Sequence, residues 1–161
     1  MRKTKGFTLV ELLVVIAIIG LLSTLAIISL GGIREKARDT KRVNDMQAAQ
    51  KAIGLIIQEN PNASPSDFGN CNTGSAVSAC TGGEIEKYLP NIAQMNDPLY
   101  KSGGSICQPG SCERGCNYGI VLEGQNGGIY FYLENGAGSF TESGCYHLGG
   151  PEGALIQKYI P

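Results

Sequence analysis

Lys5-Gly6-Phe7-Thr8-Leu9-Val10-Glu11-Leu12-Leu13 opens an apolar stretch that continues to Ile33. Between Glu11 and Arg34 lie 22 residues without a charge. As a helix they span about 33 Å at ~1.5 Å per residue, enough for a hydrocarbon core of ~30 Å. Arg2, Lys3 and Lys5 precede the stretch, and basic residues at that end predict that it stays cytoplasmic while the rest of the chain faces outward. A secretory signal peptide has the same outline, with Leu12–Leu22 as its apolar core and the small residues Ser29 and Gly31 as a passable cleavage site. Glu11 argues against that alternative. A carboxylate inside an apolar helix costs roughly 2.5–3.5 kcal/mol on insertion scales, and a disposable segment gains nothing from it. An intramembrane carboxylate points to function and calls for a partner.

Downstream of Ile33 the chain still reads as helix. No proline occurs before Pro61, and Met46, Ala49, Ile53 and Ile56 fall on one face at 3- and 4-residue steps. The mixed charges Arg34, Glu35, Lys36, Arg38, Asp39, Lys41, Arg42 and Asp45 read as a solvated helix face. Asp39 with Arg42 and Lys41 with Asp45 are then surface pairs worth tenths of a kcal/mol. Asn60-Pro61 ends the helix, because proline restricts the residue before it and cannot continue the ladder. Gly31 and Gly32 are its weakest point, each costing about 1 kcal/mol relative to alanine.

The composition divides near Asn60. All seven prolines, all six cysteines and 18 of the 23 glycines come later, so a separate small head is expected over 61–161. Ser64–Asp67 through Gly83 reads as turn-rich loop, and Glu84–Leu89 as a short helix stopped by Pro90. Tyr118–Leu122 and Ile129–Leu133 have the aromatic and β-branched content of strands, joined by a loop over Glu123–Gly128. Asn135-Gly136 offers a tight reversal into Ala137–Thr141, completing an antiparallel meander. Covering the Met46/Ile53/Ile56 face with that meander gives an α+β head.

Cys71, Cys80, Cys107, Cys112, Cys116 and Cys145 are expected as disulfides in an outward-facing head. Cys71 with Cys80 closes a short loop, and at least one of Cys107, Cys112 and Cys116 should reach Cys145 across the meander. No C-x₂-C pair occurs and His147 is the single histidine, so no metal or other cofactor is expected. His147 reads as a surface or packing residue. Four basic against nine acidic side chains leave the head at −5, which argues against nucleic acid as a direct partner. Dense Asp/Asn loops of the calcium-binding kind are missing. So are G-x-S-x-G, P-loop, G-x-G-x-x-G and HExxH motifs, and no catalytic residues or enzymatic activity are expected.

The stretch Lys5–Leu13 with its apolar continuation resembles the class III leader and N-terminus of type IV pilins and type II secretion pseudopilins. Ala37-Arg38-Asp39-Thr40-Lys41-Arg42 and Asn96-Asp97-Pro98-Leu99 also look like segments of pilin-like proteins. The resemblance implies a leader over 1–6, a membrane and polymerisation helix over 7–33, an amphipathic continuation over 34–60 and the head over 61–161. It implies that a prepilin peptidase cuts between Gly6 and Phe7 and methylates the new Phe7 amine. It implies that Glu11 pairs with that ammonium on a neighbouring subunit in a helical homo-oligomer. Assembly machinery in the cytoplasmic membrane is the further implied partner. Where many members have a proline, this chain has Ile28, and Gly31-Gly32 are the nearest helix-loosening residues. The expected role is a pilin of an adhesive surface filament at the cell surface. The alternatives are a pseudopilin of a secretion or competence system, a monomeric anchored domain, and a secreted enzyme with a removed signal.

Overall fold

The computed structural model describes residues 6–63, 68–122, 127–149 and 155–159. Arg2, Lys3 and Lys5, the segment Ser64–Asp67 and residues 123–126 of the expected hairpin loop lie outside them. Helix α1 runs Leu9–Glu59, 51 residues, and passes through Gly31-Gly32 without a break. The chain forms two compact units, 1–35 and 36–161. In the first, an 18-residue window reaches a mean hydropathy of 2.8 with none of it buried, so this segment is long and apolar enough to cross a membrane. Phe7, Leu9, Val10, Leu12 and Leu13 are all exposed there. Such a surface is stable only against lipid or other apolar helices.

In the second unit one face of α1 is buried. Val43, Met46, Ala49, Ala52 and Ile56 share a core cluster with Ile129, Phe131, Leu133, Tyr146 and Leu148. Those sheet residues come from one face of a four-stranded antiparallel sheet in the order β1-β2-β3-β4, with β1 Gly119–Val121, β2 Gly128–Leu133, β3 Gly144–Gly149 and β4 Leu155–Lys158. Phe131 lies opposite Tyr146 and Ile129 opposite Leu148, both pairs facing the helix. The alternate positions Tyr130, Tyr132, Cys145 and His147 face the other way, as the two-residue period of a strand requires. Ahead of the sheet, α2 (Glu84–Tyr88) and 3₁₀ turns at Val77–Ala79 and Ile92–Gln94 contribute Ile85, Val77 and Ile92 to the main core.

Two strand expectations are corrected. Ala137–Thr141 is not the third strand. It is a tight loop closed by one bridge between Ala137 and Phe140, and the third strand is Gly144–Gly149. Gly136 adopts φ +82°, and a side chain there would meet the Phe140 carbonyl at 2.1 Å, so the chain turns too sharply to enter a strand directly. The fourth strand, β4, was not expected at all, since Leu155–Lys158 is too short to show a pattern.

Candidate functional site

Two sites emerge, one in each unit. In the first, Thr8 is the residue before α1 and Glu11 lies in its first turn. The Glu11 Oε2 accepts the Thr8 backbone N–H and the Thr8 hydroxyl, both at 2.8 Å, while the Thr8 Oγ1 accepts the Glu11 N–H at 3.3 Å. Thr8-Leu9-Val10-Glu11 is therefore a reciprocal capping box, with the negative carboxylate at the positive end of the helix. Glu11 has two neutral donors, both from Thr8, and no counter-ion among the described residues. Gly6 and Phe7 precede the helix and both are exposed, so the bond between them lies outside any regular structure.

The second site lies where the charge run meets the head, and here the expectation of a solvated face fails. Asp39 and Arg42 are completely buried. The Arg42 Nε and Nη2 grip Asp97 at 2.6 and 3.0 Å, and its Nη1 donates to Asp39 and Glu134, each at 2.7 Å. Glu134 also accepts Arg38 through both oxygens at 2.7 Å and Arg114 at 2.7 Å. Asp39 turns its remaining capacity to the loop after β2, accepting the N–H groups of Glu134, Asn135 and Gly136 at 2.7–2.9 Å. Asp97 accepts the Leu99 N–H, and its own N–H donates to Asn117 Oδ1. Three arginines thus face three carboxylates. Beside them the Tyr118 hydroxyl donates to Asp45 at 2.9 Å, and Lys41 Nζ donates to Asp45 at 2.7 Å and to the Asn96 carbonyl.

The electrostatics follow from this geometry. Burial opposes the charge on Arg42, yet the hydrogen bonds it donates to Asp97 and Glu134 outweigh it and raise its pKa. Hydrogen bonding from Arg38, then from Arg42, holds Glu134 down at about 2 despite burial. Desolvation, with Asp45 second, pushes the Tyr118 phenol up. The site ties helix to head, with Asp39, Asp97 and Glu134 each held by at least one arginine.

Asp97 and the Arg38–Arg42 segment carry a sequence resemblance, whereas nothing local in the sequence marks Glu134 or Arg114. A signal for the burial of Asp39 and Arg42 was present. Stepping back from Met46 by three, four and seven residues along its own helical face lands on Val43, Arg42 and Asp39. The apolar stripe continues there as charge.

The cysteines pair as Cys71–Cys80, Cys107–Cys116 and Cys112–Cys145, and none is free among the described residues. The last joins the cysteine loop to β3. His147 stacks on Tyr130 with ring centroids 5.5 Å apart, and burial lowers its pKa.

Residues 1–31 match the family model described as a prokaryotic N-terminal methylation motif. The chain is 38% identical over 154 residues to type II secretion system core protein G of Vibrio cholerae, a match covering 92% of this chain and 95% of that one. It is 31% identical over 129 residues to type II secretion system core protein G of Klebsiella pneumoniae, covering 80% and 82%. Fimbrial protein Q of Moraxella bovis is 27% identical over 108 residues, 67% of this chain and 69% of that one. No solved structure matches the chain. The methylation motif ahead of a membrane-length helix, the α+β head beneath it in sequence and the near full-length similarity to core protein G place this chain in the pilin-like pseudopilin family.

Proposed function

We propose that this chain is a pseudopilin, the repeating subunit of a short filament of a type II secretion-like system, and that it works mechanically rather than as an enzyme. The similarity to core protein G over 92% of the chain carries this reading ahead of the adhesive pilus expected at first. Fimbrial protein Q is matched over a smaller share and at lower identity, which leaves the pilus as the second reading.

In the proposed sequence of events the precursor sits in the cytoplasmic membrane through 7–33. A prepilin peptidase cuts between Gly6 and Phe7, where the chain is exposed and outside regular structure, and the Phe7 amine is methylated. Glu11 then meets the Phe7 ammonium of a neighbouring subunit. The capping box supports this step. It keeps the carboxylate hydrogen-bonded in the single subunit but, among the described residues, leaves its charge without a counter-ion. A cation at the same depth supplies what the Thr8 donors do not, so assembly gains charge pairing in a low-dielectric setting. The exposed apolar side chains of the first unit supply the rest by packing against one another in a bundle. Secretion of a reporter exoprotein by cells carrying the deleted gene, compared with the appearance of long filaments in sheared surface material, separates the two readings. Loss of secretion without loss of surface filaments supports the pseudopilin, and the reverse supports the pilus.

A further inference from the structure

On the sheet face turned from α1, Cys107, Cys116 and Tyr130 form a second small core with Cys112, Val121, Tyr132, Cys145 and Tyr159 packed on it. Two disulfides share this space. The sulfurs of Cys107, Cys112 and Cys116 all lie within 4.8 Å of one another, although Cys112 is bonded to Cys145 and not to either of the others. The two bonds differ in access. Cys107 and Cys116 are both fully buried, while Cys112 and Cys145 are partly exposed. The backbone around the buried bond is tight as well, since a side chain on Gly119 would lie 1.9 Å from the Cys107 carbonyl.

We infer that Cys112 is an exchange cysteine: a dithiol oxidoreductase gains access to this head through Cys112–Cys145, and the Cys112 thiolate relays the exchange to the buried Cys107–Cys116 bond. In the first step an enzyme thiolate attacks Cys145 Sγ, the Cys112–Cys145 bond breaks, and its electron pair leaves on Cys112. The second enzyme thiol resolves the mixed disulfide, releasing Cys145 as a thiol and leaving the enzyme oxidised. Cys112 then attacks Cys107 or Cys116 Sγ, a new Cys112–Cys bond forms, and the displaced sulfur leaves as thiolate and takes a proton from water. Each step exchanges one S–S bond for another and consumes no oxidant. Attack needs a thiolate within reach of a disulfide sulfur, and the clustering of the three sulfurs provides that reach before any backbone movement. The Cys71–Cys80 bond belongs to the main core cluster and takes no part.

The inference is independent of the filament reading and concerns how an exported head acquires and corrects its bonds. Its test is Cys145→Ser in the full-length protein in detergent micelles, which leaves Cys112 without a partner. Alkylation under native, acid-quenched conditions followed by peptide mass mapping should find the free thiol distributed over Cys112 and at least one of Cys107 and Cys116, with Cys112 recovered in a new disulfide. Label confined to Cys112 overturns the relay. Where that variant does not fold, limited reduction of the wild-type protein by dithiothreitol gives the same reading. Cys112-containing exchanged pairs should precede complete reduction of Cys107–Cys116, and their absence overturns the inference. In Cys112→Ser/Cys145→Ser the buried bond should be reduced at least tenfold more slowly than in wild type, with Cys71–Cys80 unchanged. Equal rates contradict it.

Discussion

Replacing Arg42 with methionine removes the guanidinium at the centre of the buried cluster while keeping much of the side chain's length. Asp97 suffers most. It loses both bonds to Arg42 and, among the described residues, keeps only the Leu99 N–H as donor, at 3% exposure for the residue. Asp39 keeps three backbone donors, and Glu134 keeps Arg38 and Arg114. Breaking a buried pair by removing one partner costs about 3–5 kcal/mol, because it leaves an uncompensated charge. For a unit of this size that corresponds to a fall in Tm on the order of 15 °C. The assay is thermal unfolding of the full chain in micelles with its disulfides intact, followed by near-ultraviolet circular dichroism. Arg42→Met/Asp97→Asn removes the orphaned charge and should recover part of the loss, with a coupling of roughly 1–3 kcal/mol between the two sites. Arg42→Lys keeps a charge but not the fork, and should fall between wild type and methionine. A methionine variant within about 1 kcal/mol of wild type, with no recovery in the double variant, would refute the argument that the buried ions bind helix to head.

Other perturbations test separate links. Glu11→Ala should leave cleavage after Gly6 intact while abolishing or sharply slowing filament assembly, read by N-terminal sequencing and by electron microscopy of assembled material; normal filaments would mean that the carboxylate has no assembly role. Glu134 is held at about 2 in the folded protein against an ordinary 4.5, so it stabilises the fold fully above about pH 4.5 and that contribution disappears as pH falls through about 2. The acid limb of the wild-type stability curve should accordingly be steeper there than that of Glu134→Gln, and parallel curves would contradict the assignment. Tyr118→Phe removes the hydroxyl that donates to Asp45 and should cost about 1 kcal/mol by chemical denaturation, since Lys41 still pairs with that carboxylate. Gly119→Ala forces a Cβ into the Cys107 carbonyl and should disrupt the β1 edge, read as lost amide protection at Tyr130 and Ile129, its ladder partners.

What the sequence revealed was set by how local its cause is. The Phe7–Leu13 motif and the charge-free run after it are contiguous, so they specify helix, membrane length and the special position of Glu11 without tertiary information. Pro61 and Pro90 end helices by their own chemistry, and α1 and α2 stop just before them. The buried ion cluster was harder to read because its members lie up to 97 residues apart in contact. Asp39 and Arg42 taken alone are indistinguishable from a surface i,i+3 pair. Only Asp97, Glu134 and the Asn135-Gly136 turn, brought in by the fold, make their burial tolerable. The third strand was misplaced for a related reason. Gly144-Cys145-Tyr146-His147-Leu148-Gly149 lacks β-branched residues, and its strand character comes from pairing with β2 and β4 rather than from propensity.

The central claim is that this chain is matured as a pilin-like subunit rather than released as an ordinary secreted domain. The most direct measurement is the intact mass of the membrane-derived protein, unreduced and reduced, with its N-terminal peptide sequenced. The account predicts a start at N-methylated Phe7 and, before reduction, a mass lower by six hydrogens, as three disulfides require. A start near Gly32, or an unmethylated chain retaining residues 1–6, would contradict it.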